Sequence, residues 1–410
     1  MLKKSKKRLK LIFILLVTVF LTGCWDRIEI EEFAFVSVIG LDEGEDGMLK
    51  ITFQITNPQI GTSTKVQVDE PPSDIITFLS EDLVASRDLA STSIARRLTF
   101  SHAKAFIVSE DLAKSNKFYP IIEATQRDRD IRRELNLIVC KEDAADFIRN
   151  NRPPFDIRAS KYYEFLTSRW EDVGFVPLST LHKFSLRTLD DMGLFLVTYA
   201  TTKPDHPKTH LDSEGDIIAG QLDKIDENPM QMMGSAVFKE GKMIGKLTGD
   251  ETRLALILRP TVQTNNILAT FPDPLKEGEK ISAKLVRGKN KIKITITDDY
   301  PIIDVKIPLT LSIASIPSNI DYVKNQSNQK LLIAAIEKRL ETVTMELIKK
   351  TQEEFGAEPF LWSQVARKKF WLYKDFRDYN WSEKYKNAKI TVEYDVTIED
   401  FGKQNRPPKI

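Results

Sequence analysis

The sequence predicts a mixed α/β protein of the α+β kind: an N-terminal mixed sheet with helices, then a C-terminal antiparallel sheet with a long helix. Three observations carry this expectation. Short β-rich apolar runs alternate with helical segments from Phe33 to about residue 150, which is how strands separated by helices read. The second half instead pairs apolar runs around glycine turns, a hairpin signal. Leu332, Ile336, Leu340, Val343 and Leu347 then recur at helical spacing within one long segment.

The elements follow in order. FAFVSVIGLD (Phe33 to Asp42) reads as a strand, and the turn DEGEDG leads into MLKITFQIT (Met48 to Thr56), giving a hairpin. After Pro71-Pro72, Ser73 caps an expected helix whose Ile75, Leu79 and Leu83 share one face. AKAFIV (Ala103 to Val108) is a strand, and Ser109-Glu110-Asp111 opens a helix with acids at its positive end. LNLIVC (Leu135 to Cys140) is a third core strand, followed by a short helix around Ala144 to Ile148. Asp156 to Met192 reads as mainly helical, and the polar TTKPDHPKTHLDSEGD as an exposed loop.

In the second half, GSAVFKEGKMIGKL (Gly234 to Leu247) is a hairpin turning at Glu240-Gly241. ISAKLVRGKNKIKITIT (Ile281 to Thr297) reads as another, with Gly288 at its turn. PIIDVKIPLTLSI adds a strand, the long helix follows, and AKITVEYDVTIE (Ala388 to Glu399) alternates as a half-buried strand. The expected division is a signal peptide at 1–23, an N-terminal mixed α/β domain at 24–190, and a middle domain at 191–275 containing the hairpin 234–247. A C-terminal α+β domain at 276–402 and a tail at 403–410 complete it.

The first residues have a different purpose from the fold. Lys3, Lys4, Lys6, Lys7, Arg8 and Lys10 precede LIFILLVTVFL (Leu11 to Leu21), a run too short to span a bilayer. A basic start and a short apolar run make a secretory signal. Leu21-Thr22-Gly23-Cys24 then resembles a bacterial lipobox, in which the cysteine thiol is joined to diacylglycerol and becomes the first residue after cleavage. Lipid attachment is therefore expected at Cys24. Trp25 would lie at the interface, where amphipathic rings are favoured.

Cleavage changes the charge. The whole chain has 60 basic and 59 acidic residues; losing six basic residues leaves 54 and a net charge of −5. A basic footprint for nucleic acid is absent. Of the two cysteines, only Cys140 remains as a free thiol. Closing an apolar run, it reads as buried and inert.

Candidate chemical sites reduce to structural ones. His206 and His210 stand four apart, but Pro207 and the polar surroundings describe a loop rather than a metal-binding helix. Asp42, Asp46 and Gly47 faintly resemble a calcium loop, yet the twelfth position is Phe53 instead of Glu. Gly241 to Leu247 is one residue short of a phosphate loop and lacks its Ser/Thr, so Gly241 is a turn glycine. Glu251, Thr252 and Arg253 fit a helix N-terminus with an acid near the dipole. FLWSQVARKKFWLYKDFRDYNW (Phe360 to Trp381) puts Trp362, Val365, Leu372, Phe376 and Tyr379 near one helical face. A helix covering the sheet is expected there, with its basic face a candidate for anionic headgroups or a partner. No nucleophile elbow, nucleotide fingerprint or Cys/His cluster appears, so no catalytic, cofactor-binding or metal residue is assigned.

Several segments together resemble the C subunit of bacterial spore germinant receptors, the Ger(x)C lipoprotein family. These are CWDRIEIEEFAFVSVIGLD, RDRDIRRELNLIVCKEDAADFI and MGSAVFKEGKMIGKLTGDETRLALIL. The resemblance implies three mixed α/β domains anchored through Cys24 on the outer face of the spore inner membrane. It implies polytopic A and B subunits as partners, nutrient-triggered germination as the process, and no catalysis or cofactor. It leaves direct nutrient binding open. The alternative is a solute-binding lipoprotein of an importer, which usually has a longer flexible tether after its cysteine.

Overall fold

The computed structural model describes residues 29–57, 73–153, 159–190, 193–205, 213–225, 227–261 and 267–403, with residues 10, 13, 207 and 211 singly. Cys24, His206 and His210 lie outside them.

The first sheet has nine strands. Its centre is parallel: β1 (Phe33–Glu43), β5 (Ala105–Ser109), β6 (Asn136–Cys140) and β7 (Phe195–Thr201) lie side by side. Antiparallel strands flank them, with β2 (Leu49–Thr56) and β3 (Ser73–Ser80) beyond β1, and β8 (Gln231–Lys239) and β9 (Lys242–Leu247) beyond β7. Short β4 (Arg97–Thr99) pairs with the start of β1. The helices of this half are α1 (Leu83–Ala90), α2 (Glu110–Lys114), α3 (Phe118–Thr125), α4 (Ala144–Asn150), α5 (Ala159–Ser168), α6 (Trp170–Val173) and α7 (Leu181–Asp190).

These helices cover both faces of the sheet, which is why its central strands are apolar throughout instead of alternating. On one face Val38, Ile107, Ile138 and Cys140 pack against Phe147 and Ile148 of α4. On the other, Phe106, Val108, Leu137 and Val139 meet Leu112, Phe118, Ile122 and Phe184 from α2, α3 and α7. Gly40 is required by this packing: a Cβ there would stand 2.7 Å from Ile148 Cδ1. Asp42, next but one along β1, caps α4 by accepting from the N–H groups of Ala144 (2.6 Å) and Ala145 (3.1 Å). Its place is thus a helix cap, with Asp46 and Gly47 forming the turn after it at φ 53° and 80°.

The structure differs from several expectations here. The segment from Ser73, read as a helix, is strand β3, paired with β2 along its whole length. Ile75, Ile76 and Thr77 are β-branched and favour that state, and the edge of β2 offers a ladder that an isolated helix lacks. The helix begins later and is capped by Asp82, whose Oδ1 accepts from Ala85 N at 2.8 Å. The segment 191–275, expected as a middle domain, forms no sheet of its own. β7, β8 and β9 extend the first sheet, and β10 (Ile267–Pro272) opens the second.

The second sheet brings a further difference. β11 (Lys280–Arg287) and β12 (Lys291–Thr295) do not pair as a hairpin. Both run antiparallel to successive parts of β13 (Ile302–Ser315), with Arg287 opposite Leu309 and Lys291 opposite Lys306. They are one long strand interrupted opposite Pro308. Proline has no N–H to give the ladder, and Gly288 lies against it, its own N–H donating to Pro308 O at 3.0 Å. The other edge of β13 carries β14 (Lys389–Asp400), in parallel. The remaining strands of this sheet are antiparallel.

A parallel partner needs a crossover, and α9 (Gln326–Lys350) supplies most of it. Before it, α8 (Gly249–Ile257) joins the two sheets. Leu332, Ile336, Leu340 and Leu347 of α9 are buried in the second core, and Glu337 Oε1 accepts from Val396 N at 2.9 Å. The tryptophan-rich segment is not one helix. It breaks into α10 (Trp362–Arg367), α11 (Tyr373–Tyr379) and α12 (Trp381–Tyr385). Trp362, Phe376, Tyr379 and Trp381 enter the core, while Leu372, expected with them, is exposed. Asn380 in the left-handed region (φ 55°) ends α11 and prevents a continuous rod.

Candidate functional site

A cleft of about 480 Å³ lies where the two halves meet, between α8, α9, β10 and the loop before Ile217. Its construction begins at Thr248. The side chain of Thr248 accepts from Glu251 N at 3.3 Å, and Glu251 Oε2 accepts from Thr248 N at 2.8 Å, a reciprocal cap that starts α8. Gly249 N and Asp250 N donate to Ile217 O and Gly215 O, fixing the loop against the helix. Leu254, Ile257, Phe271, Leu340 and Leu347 form the apolar floor.

Charged groups line the rim in opposed pairs. Lys350, at the end of α9, reaches Glu251 at 2.8 Å. Arg253 lies over the Phe175 ring, 3.8 Å from its centroid, and donates to Val173 O at 2.8 Å, with Asp250 3.6 Å away. Burial pushes the Arg253 guanidinium down to about 10, partly offset by Asp250 and Glu214, so it stays charged at neutral pH. Thr270 donates to both oxygens of Glu214 at 2.7 and 2.6 Å. Thr252 is buried against the Ser235 hydroxyl at 2.8 Å. The trio Glu251, Thr252 and Arg253 therefore does three separate tasks: capping, strand contact and clasping of the segment after α6. The cleft holds pairs of neutralised charge over an apolar floor, the chemistry of a docking or binding surface.

A second polar centre is buried under the first sheet. Glu110, at the start of α2, receives Lys114 at 2.5 Å, Lys246 at 3.2 Å and the Tyr199 hydroxyl. Burial raises its carboxyl, but the hydrogen bonds from Lys114 and Tyr199 and the charge of Lys246 outweigh that, and its pKa falls below 4.5. A depressed carboxylate contributes stability that is present above the unfolded pKa and lost as pH falls through the folded one. Glu110→Gln is expected to lower the urea midpoint at neutral pH and to flatten its decline below about pH 4.5. An unchanged acid slope in the variant would remove this cluster from the account.

Cys140 is fully buried, its thiol near Val108 O (3.5 Å) and Glu142 O (3.1 Å), and burial pushes it well above the ordinary thiol range. Gly241 turns the β8–β9 hairpin at φ 80° after Glu240 at φ 51°. No group of three or more His, Cys, Asp or Glu side chains suited to a metal occurs among the described residues. Sequence reasoning missed the Glu110 cluster and a buried trio of Arg187, Arg259 and Glu358. Apart from the local pair Glu110–Lys114, their members stand from 47 to 171 positions apart, and no local pattern marks them.

Comparison with known proteins adds what geometry lacks. Residues 26–202 match the model described as the spore germination protein N-terminal domain, and 233–402 match the spore germination B3/GerAC-like C-terminal model. The chain belongs to the GerAC-like spore germination family. Among relatives of Bacillus subtilis (strain 168), spore germination protein KC is 25% identical, with 98% of each chain covered. Spore germination protein B3 is 22% identical over 97% of this chain and 99% of its own. The crystal structure of the GerBC protein has the same fold, with a TM-score of 0.55 at 18% identity over 88% of this chain and 96% of its own. In this GerAC-like chain the gap between the two family models, 203–232, ends two residues into β8, so nearly all of the β8–β9 hairpin falls in the C-terminal match. The family's description names germination and no reaction. Among the described residues of this family member, no helix is long and apolar enough to cross a membrane.

Proposed function

We propose that this chain is the lipid-anchored, non-catalytic C subunit of a spore germinant receptor. Acylated Cys24 holds it on the outer face of the spore inner membrane, and its folded domains dock the polytopic A and B subunits. The reading is carried by the two family matches, which together reach from residue 26 to residue 402. The cleft between α8 and α9 supports a docking role, because the pairs Lys350–Glu251 and Arg253–Asp250 stand beside an apolar floor that a partner could cover.

The test is affinity purification of the tagged protein from detergent-solubilised spore inner membranes. Two polytopic membrane proteins are expected to accompany it. An ATP-driven permease in their place, or no companion at endogenous expression, would sink the receptor reading.

A further inference from the structure

Lys368-Lys369-Phe370-Trp371-Leu372 connects α10 to α11, and Tyr373-Lys374 opens α11. Trp371 is 94% exposed, Leu372 54% and Tyr373 49%, three large apolar side chains in succession. A soluble surface avoids such a run unless it serves a purpose. The tip is also built, not loose. The Phe370 ring is rooted 5.3 Å from Phe376 and 5.4 Å from Tyr379, Arg367 donates to Phe370 O at 3.1 Å, and its guanidinium lies 5.4 Å from the Tyr373 ring centroid.

Charge and size identify what it meets. Arg367, Lys368, Lys369, Lys374 and Arg377 outnumber Asp375 and Asp378, a local excess of three positive charges on a mature chain of net charge −5. Lys368, Lys369 and Lys374 are exposed around the apolar tip. Three side chains bury about 600 Å² at most, short of the roughly 800 Å² per partner of a stable protein interface. Tryptophan and tyrosine flanked by lysine suit the headgroup layer of an anionic membrane.

Topology puts the tip's attachment at the membrane end of the first sheet. β1, β5, β6 and β7 are parallel, so their first residues share one end. By register Leu194 lies about level with Val36, and its N–H donates to Glu358 O at 2.9 Å. Ser363, which opens the way to the tip, accepts from Arg187 at 3.1 Å. The segment is thus fastened at the end of the sheet where β1 begins, beside β7 and three strands from β1. Cys24 precedes Ile30 by six residues, at most about 20 Å of chain.

We propose that Trp371, Leu372 and Tyr373 are a second membrane contact, seated in the headgroup layer of an anionic bilayer with Lys368, Lys369 and Lys374 on lipid phosphates. Its closeness to the bilayer rests on the reading of Cys24 as the anchor. The tip fixes orientation, because one anchor alone leaves the domains free to rotate about it.

The experiment reconstitutes full-length protein into phosphatidylglycerol/phosphatidylcholine vesicles with brominated acyl chains and compares tryptophan quenching with Trp371→Phe. Wild type is expected to show a quenched component that Trp371→Phe loses, and that Lys368→Glu/Lys369→Glu/Lys374→Glu weakens. Equal quenching in wild type and Trp371→Phe overturns the proposal. The mass of the Cys24 peptide reports the anchor separately: an unacylated Cys24 with Trp371 still quenched on added vesicles would remove the anchor and leave the tip contact standing. A photo-crosslinker in place of Trp371 in spore membranes is expected to label lipid. Labelling of a polypeptide would overturn the proposal in favour of protein docking.

Discussion

Replacing Cys24 by alanine is expected to reduce the protein's retention in the membrane fraction and its part in germination. Each buried CH₂ contributes about 0.8 kcal/mol to membrane residence, and two acyl chains separate stable anchoring from marginal binding. Without the thiol no diacylglycerol is attached, and the eleven-residue apolar run Leu11 to Leu21 is too short to replace it as a span. The described fold begins at residue 29, after Cys24, so its thermal transition should be unchanged. Fractionation of spore membranes and the rate of nutrient-triggered germination would be measured together. Normal germination at normal expression in Cys24→Ala would take the anchor out of the mechanism.

Glu358→Leu should destabilise the fold by about 3–5 kcal/mol, the cost of removing one partner from a buried ion pair. Glu358 is wholly buried, with Arg187 of α7 at 3.5 Å and the N–H of Ser363 donating to it at 2.9 Å. Arg259 is buried too; burial and the nearby charge of Arg187 push it down to about 10, with Glu358 opposing the shift. Leucine would leave two guanidinium groups without that carboxylate where the first sheet meets the tryptophan-rich segment. The neighbouring bonds from Arg259 to Pro359 O and from Trp362 to Leu258 O belong to the same junction. Urea unfolding of the mature protein, followed by tryptophan fluorescence, would show an earlier midpoint. A loss under about 1 kcal/mol would mean that the trio carries little of the coupling.

β1 with β2, β8 with β9, the strand at LNLIVC and the helix from Gln326 to Lys350 were all legible, because each is specified within its own few residues. Turn glycines, apolar runs and helical spacing act locally. Ser73 to Ser80 misled because Ile75, Leu79 and Leu83 fit a helical face, while the free edge of β2 decided for a strand. Ile281 to Thr297 misled for a related reason. Its glycine looks like a turn until Pro308, on another strand, explains the gap in the ladder.

The candidate site was less legible than the fold. Glu251, Thr252 and Arg253 were visible as a helix start, yet the cleft above them needs Lys350 from α9 and Thr270 from β10. The family segments are written in contiguous residues, as is the lipobox-like stretch proposed at Cys24, so a linear reading reaches them without coordinates. Strand partners, the split of the tryptophan-rich segment, the Glu110 and Glu358 centres and the exposure of Trp371 belong to the tertiary structure. Each depends on which distant groups arrive within hydrogen-bond or packing distance, and short-range periodicity carries no record of that choice.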